Sequence, residues 1–225
     1  MKFKLILYFF ILLCNNLIAQ KSNIESKSED KKFSKLGIYV GLGNQSYLIK
    51  ETDWRLTNVK DTFNSIYSTK SINFNLGMQY QTKISKNIFF RQRFQLSFET
   101  SKYTFERKSS FIENIKKQNI LIETPIHLLF QIDKQVKPYF FGGVTPKFSL
   151  GQDTGYQKIE NYKNFDLEIN YGIGIEIKLK KYSIAPEISF SNGILNPYNT
   201  NNSVYSSTIS ELKKQSINFT FIIKD

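Results

Sequence analysis

His127 is the only histidine of the 225 residues, and Glu123 stands four residues before it. In an extended strand the two side chains share a face but lie about 13 Å apart. A general base and the carboxylate that orients it need hydrogen-bond contact, so this spacing does not make a catalytic pair. A hydrolase would also need a nucleophile. Ser97, Ser149 and Ser189 share one strand face, and nothing singles one of them out. One histidine also rules out a histidine-rich metal site. His127 is therefore expected to be a hydrogen-bonding residue inside the fold, with no catalytic, cofactor-binding or metal-ligating residue assigned.

Two glycine pairs, Gly41-Leu42-Gly43 and Gly172-Ile173-Gly174, look like pieces of nucleotide-binding loops. Neither opens a helix after a strand, as that chemistry requires, so both read as packing glycines within strands. Cys14 is the single cysteine. It lies in MKFKLILYFFILLCNNLIAQ, where Lys2 and Lys4 precede the apolar run Leu5 to Leu13 and Ala19 ends a cleavage site. These are the parts of a secretory signal, expected over residues 1–19. Leu13 is bulkier than the residue that usually precedes a lipidated cysteine, so ordinary cleavage before Gln20 is expected. The mature chain then has no thiol, which excludes disulfides, iron–sulfur clusters and cysteine zinc sites.

The elements that would carry these residues alternate with period two. In SINFNLGMQY, Ile72, Phe74, Leu76, Met78 and Tyr80 oppose Ser71, Asn73, Asn75, Gly77 and Gln79. Seven further stretches behave alike, around Leu36–Gly43, Ile88–Glu99, Ile120–Phe130, Phe140–Leu150, Leu167–Ile177, Tyr182–Ser191 and Ser216–Ile223. Each is about ten residues long, the length of a tilted strand that crosses a membrane. Residues 20–34 read as a flexible periplasmic lead-in and 35–225 as the strand domain. The mean hydropathy of −0.34 does not exclude a membrane barrel, whose alternation is too fine for an average to register.

Alternation alone fits a soluble barrel with an apolar interior as well as a membrane barrel with a polar one. Arg91, Arg93, Glu99, Glu123, Lys147, Glu168, Glu176 and Glu187 share the polar face, and their mixed signs suit mutual pairing in a narrow lumen. Gly41, Gly43, Gly77, Gly143, Gly172 and Gly174 lie on the same face, where a tight interior favours small residues. Long connections (44–70, 101–116, 151–164, 193–214) alternate with short ones (81–87, 131–137, 180–181), as they do in bacterial membrane barrels. Tyr80, Phe90, Phe130, Phe140, Tyr182 and Phe221 face outward beside the short turns, where an interfacial aromatic ring is expected. The expected fold is all-β: an eight-stranded antiparallel transmembrane barrel with both termini periplasmic. Pro125, Pro146 and Pro186 fall within strands and resist it, because lipid cannot replace a lost ladder hydrogen bond.

The net charge of +12 comes from 31 basic and 19 acidic residues. The lysines and arginines are scattered through loops rather than gathered on one element, and an exported chain seldom meets nucleic acid, so no nucleic-acid partner is expected. Outer-membrane lipid is the expected environment.

The second half resembles small outer-membrane barrels of the PorT kind. The residues that carry the resemblance are Ile120–Phe130 (ILIETPIHLLF), Lys137–Val144 (KPYFFGGV), Tyr171–Glu176 (YGIGIE) and Ser216–Phe221 (SINFTF). It spans roughly residues 70 to 223. Membership implies an outer-membrane protein required for type IX secretion and for gliding in some bacteria, with other secretion-machine proteins as partners. It implies no catalytic residues and no cofactor. The chain departs from the pattern at its end, where Ile222-Ile223-Lys224-Asp225 follow Phe221. The alternative is a stand-alone structural or adhesive barrel that acts through its long external loops.

Overall fold

The computed structural model describes residues 34–51, 65–106, 112–132, 136–152, 163–197 and 209–225. The signal segment and residues 20–33 of the lead-in lie outside them. Ten strands form one sheet: β1 (Ser34–Glu51), β2 (Ser65–Thr69), β3 (Ser71–Lys83), β4 (Ile88–Glu106), β5 (Ile112–Glu123), β6 (Ile126–Gln131), β7 (Val136–Gln152), β8 (Phe165–Lys178), β9 (Ser183–Gly193) and β10 (Ile209–Lys224).

Two pairs of these strands are single staves. Only Lys70 separates β2 from β3, and both pair with β4. Thr124 and Pro125 separate β5 from β6, and both pair with β4 on one side and β7 on the other. With β1 paired to β10, the sheet closes into a barrel of eight antiparallel staves. Leu36 and Asp225 meet at the short-turn end, where Leu36 N donates to Asp225 Oδ1 at 2.8 Å.

The alternation sorts faces as the hydrophobic effect requires for a wall set in lipid. In the stretch that includes SINFNLGMQY, Ile72 is 69% and Met78 62% exposed, whereas Asn73 is 5% and Gln79 2% exposed. Tyr80, Phe130, Phe140, Tyr182 and Phe221 are exposed on the outer wall, and Phe130 stacks on Phe140 at 5.2 Å.

The strand prolines do not sit at bulges. Glu123 pairs with Lys147 and Ile126 with Val144, so the register runs unchanged past Pro125 and Pro146. Arg93 N donates to the Pro125 carbonyl at 2.8 Å, and Thr124 N to the Pro146 carbonyl at 3.0 Å. Each proline thus removes one bond of a reciprocal pair and leaves the other in place. Pro186 lies opposite Phe221, and there the β8–β9 ladder lapses between Gly174↔Glu187 and Ile177↔Ile184.

The staves are longer than the alternation suggests. β4 has 19 residues, β1 18 and β7 17, so segments 44–51, 65–69, 101–106, 112–116 and 209–214, read above as loop, are strand. They escaped because their polarity is largely inverted, with only Leu48, Tyr67 and Ile112 as apolar residues exposed on their outer wall. Outward positions turn polar at Asn44, Lys102, Lys116 and Gln118. Inward ones turn apolar: Ile66, Tyr103, Phe105, Ile115, Ile209 and Leu212 form a core. Beyond the lipid band the outer wall meets water, and the preferred face for apolar groups reverses.

Candidate functional site

The lumen is the place where polar side chains converge, and it has three layers. At the short-turn end Tyr39, Leu129, Tyr139, Phe141, Ala185 and Ile222 pack into an apolar layer joined by Phe89. At the loop end the core around Tyr103, Phe105 and Leu212 fills the barrel, with Tyr47 and Ile49 against it. Between them lies a belt of ions.

Four cations and four carboxylates of the belt pair off. Glu187 accepts from Arg91 Nη1 through Oε1 and from Arg93 Nη2 through Oε2 at 2.6 Å. Tyr139 Oη donates to Glu187 Oε1 at 2.7 Å. Lys147 lies 3.0 Å from Glu123 and 2.8 Å from Glu168, and Lys214 pairs with Glu99. The arginines also rest on aromatic faces, Arg91 4.4 Å from the Phe141 centroid and Arg93 4.6 Å from that of Tyr39. Such buried charges persist only when each is met by partners of opposite sign and by hydrogen bonds. Below the belt, Glu176 holds Lys224 at 2.7 Å and Lys35 at 2.6 Å, and accepts from Gln131 Nε2 at 2.8 Å. All eight charged residues expected on the inner face are buried there.

Backbone spacing makes this density possible. A Cβ on Gly143 would collide with the Ile126 carbonyl oxygen, and one on Gly174 with the Tyr139 ring and the Glu187 side chain. Gly143 sits where the backbone of the neighbouring strand leaves no room for a Cβ, and Gly174 where neighbouring side chains fill that room.

The structure does not join His127 and Glu123 into a pair. His127 Nδ1 accepts from Arg91, at 3.3 Å from Nε and 3.2 Å from Nη2, and its ring lies 5.0 Å from that of Phe141. Glu123 instead accepts from Gln95 Nε2 and pairs with Lys147. Ser97 Oγ accepts from Gln95 at 3.1 Å; among the described residues no serine hydroxyl is hydrogen-bonded to His127. Both glycine pairs lie inside strands, β1 and β8. Two small spaces adjoin the belt, about 30 Å³ by Asn73, Glu99, His127 and Lys147 and about 50 Å³ by Tyr47, Glu99, Lys147 and Lys214, room for a few waters.

The two apolar layers escape a reading by parity, because their members occupy inward positions that alternation assigns to polar residues. A signal exists. Phe89-Phe90, Leu128-Leu129, Phe140-Phe141 and Ile222-Ile223 are apolar on both parities, and each doublet gives one side chain to lipid and one to the short-turn layer.

The crystal structure of OprG from Pseudomonas aeruginosa is similar, with a TM-score of 0.50 at 10% identity over 86% of this chain and 97% of that one. That of Neisserial surface protein A gives 0.46 at 7% identity over 84% and 96%. The solid-state NMR structure of AlkL in lipid bilayers gives 0.43 at 12% identity over 89% and 92%. No curated protein matches the chain by sequence. The likeness to OprG concerns the fold, a barrel of antiparallel strands. The family model for the outer membrane protein beta-barrel domain matches residues 18–221. An outer wall of exposed aliphatics and aromatics round a paired polar belt is what a barrel set in lipid requires, and this protein belongs to the outer membrane protein beta-barrel domain family.

Proposed function

We propose that the protein is a non-enzymatic barrel that works through its surfaces outside the lipid, as a PorT-like component of protein secretion by the type IX route. The observation that carries the first half is the filled lumen: two apolar layers enclose a charge-paired belt. A barrel of eight staves is just wide enough for side chains to fill it. The histidine's Nδ1 is committed to Arg91, and its Nε2 is buried. That leaves the two ends of the barrel as working parts. The type IX assignment rests on the resemblance of segments 120–130, 137–144, 171–176 and 216–221 to PorT-like barrels.

In this reading the end that gathers both termini and the short turns is periplasmic, as in bacterial barrels generally. Deleting the protein then traps cargo that carries a C-terminal sorting domain in the periplasm, while other outer-membrane barrels still assemble. Cargo in the medium against cargo in the periplasm is the measurement, with barrel abundance followed by blot. Normal secretion in the deletion strain rejects the role.

The second reading, a stand-alone structural or adhesive barrel, is favoured by one observation. The staves continue past the lipid band around a core of their own, which suits loops held away from the membrane. Normal secretion combined with lost surface attachment would select it.

A further inference from the structure

The short-turn end of the barrel holds a bowl of about 470 Å³. Its lining takes residues from seven of the eight staves, from Lys35 of β1 round to Ser183 of β9, and is completed by Asp225 just after β10. The bowl therefore sits on the barrel axis and faces along it, away from the surrounding lipid. Phe89 of the short-turn apolar layer reaches its floor.

Among the described residues, seven lysines line this bowl against one carboxylate, that of Asp225. Lys35, Lys83, Lys137 and Lys178 share the inward parity of the lumen, and Lys86, Lys180 and Lys181 stand on the turns. Asp225 is engaged with the Leu36 amide, and Lys35 with Glu176. Lys83, Lys86, Lys178, Lys180 and Lys181 are exposed and form no ion pair among the described residues. The loop end differs: Lys50, Glu51, Lys102, Glu106, Glu211 and Lys213 mix the two signs there. A concave surface of one sign over a low-dielectric floor focuses its potential and raises the local concentration of opposite charge.

We propose that this bowl is a docking site for an acidic polypeptide segment. Lipid phosphates ring the barrel at its rim, whereas the bowl opens on the axis, where only a soluble ligand enters. The barrel wall also sets the size of the occupant: a strand or turn of acidic residues fits, and a folded domain does not. Placing the partner in the periplasm rests on the orientation proposed above; the binding itself does not.

The test uses the mature protein in phosphatidylcholine nanodiscs and a labelled oligoglutamate peptide of about ten residues, with fluorescence anisotropy as the readout. Binding is expected, and it weakens as the Debye length falls from about 10 Å at 0.1 M salt to about 3 Å at 1 M. A Lys83→Glu, Lys178→Glu double variant should lose roughly tenfold or more in affinity, since like charge now meets like. Lys50→Glu at the loop end should leave affinity unchanged. Failure of the wild-type protein to bind at low salt overturns the proposal, and so does equal loss from Lys50→Glu. Binding of dihexanoylphosphatidylglycerol with the same lysine dependence, and no peptide binding, replaces the polypeptide by lipid phosphate. If that double variant does not fold, Lys180→Glu, Lys181→Glu on the exposed turn carries the same test, and unchanged affinity there overturns the proposal. A secretion defect and a binding defect are read separately, so either reading can fail alone.

Discussion

Replacing Glu187 by Gln tests the reasoning about the lumen where its stakes are highest. The carboxylate is fully buried and meets Arg91, Arg93 and the Tyr139 hydroxyl at once. An amide in its place would keep the shape but carry no charge, and its nitrogen would face donors. Two guanidinium groups, at 1% and 6% side-chain exposure, would then lack their carboxylate. The other carboxylates of the belt, Glu99, Glu123 and Glu168, are committed to Lys147 and Lys214. Removing one partner of a buried ion pair costs about 3–5 kcal/mol. Against a net stability of about 5–15 kcal/mol, that is a large share. Urea titration in lipid vesicles, followed by circular dichroism and by the heat-shifted band on gels, measures it. Glu211→Gln is the control: its pairing with Lys213 at 2.6 Å is solvent-exposed and should change nothing measurable. A loss for Glu187→Gln below about 1 kcal/mol, the range of exposed pairs, would refute the account of the belt.

Leu76→Arg places a charge on the outer wall, where Leu76 is exposed, and should cost about 2–4 kcal/mol near mid-bilayer in the same vesicle assay. Gly143→Ala drives a methyl group into the Ile126 carbonyl and should destabilise by about 1–3 kcal/mol through overpacking; a neutral result would show that β6 and β7 can separate. Under the proposed secretion role, His127→Gln keeps a hydrogen-bonding group beside Arg91 and should leave cargo export nearly intact, as cargo assays would show. Intact mass of membrane-purified protein should place the mature start at Gln20, and a retained, lipid-modified Cys14 would contradict it.

The lipid-facing half of the fold is legible in the sequence because lipid enforces one rule on every second residue. Ile72 to Tyr80, Phe94 to Phe98 and Ile169 to Ile177 all obey it, and their apolar members face outward. The rule fails where its cause is absent. Past Asn44 and Thr100 polar residues take most outward positions, although Leu48, Tyr67 and Ile112 stay exposed there, and strand looks like loop. It also fails inside, because parity tells which way Phe141 points but not what it meets. Pairing partners such as Arg91 with Glu187 depend on stave order and register, and alternation carries neither. The lysines of the bowl were visible one by one. Their convergence was not, since Lys35, Lys83, Lys137 and Lys178 come from four different staves.

The reversal of polarity along a single stave makes this protein an object with two solvents. Its lower wall is held by hydrocarbon outside and ions within; its upper collar, around Tyr103, Phe105 and Leu212, is held by water outside and oil within. Detergent can perturb only the first. Exchange into harsher detergents should therefore loosen the staves from below while the collar still gathers the loop-end strands, like a bundle tied near the top. Amide exchange across β4 would then be fast at Arg91 to Ser97 and slow at Tyr103 to Phe105, an order opposite to that of a barrel whose stability resides in the membrane alone. The same collar makes the loop end separable in principle: its contacts do not ask for lipid, and substitutions there follow the rules of a water-soluble core.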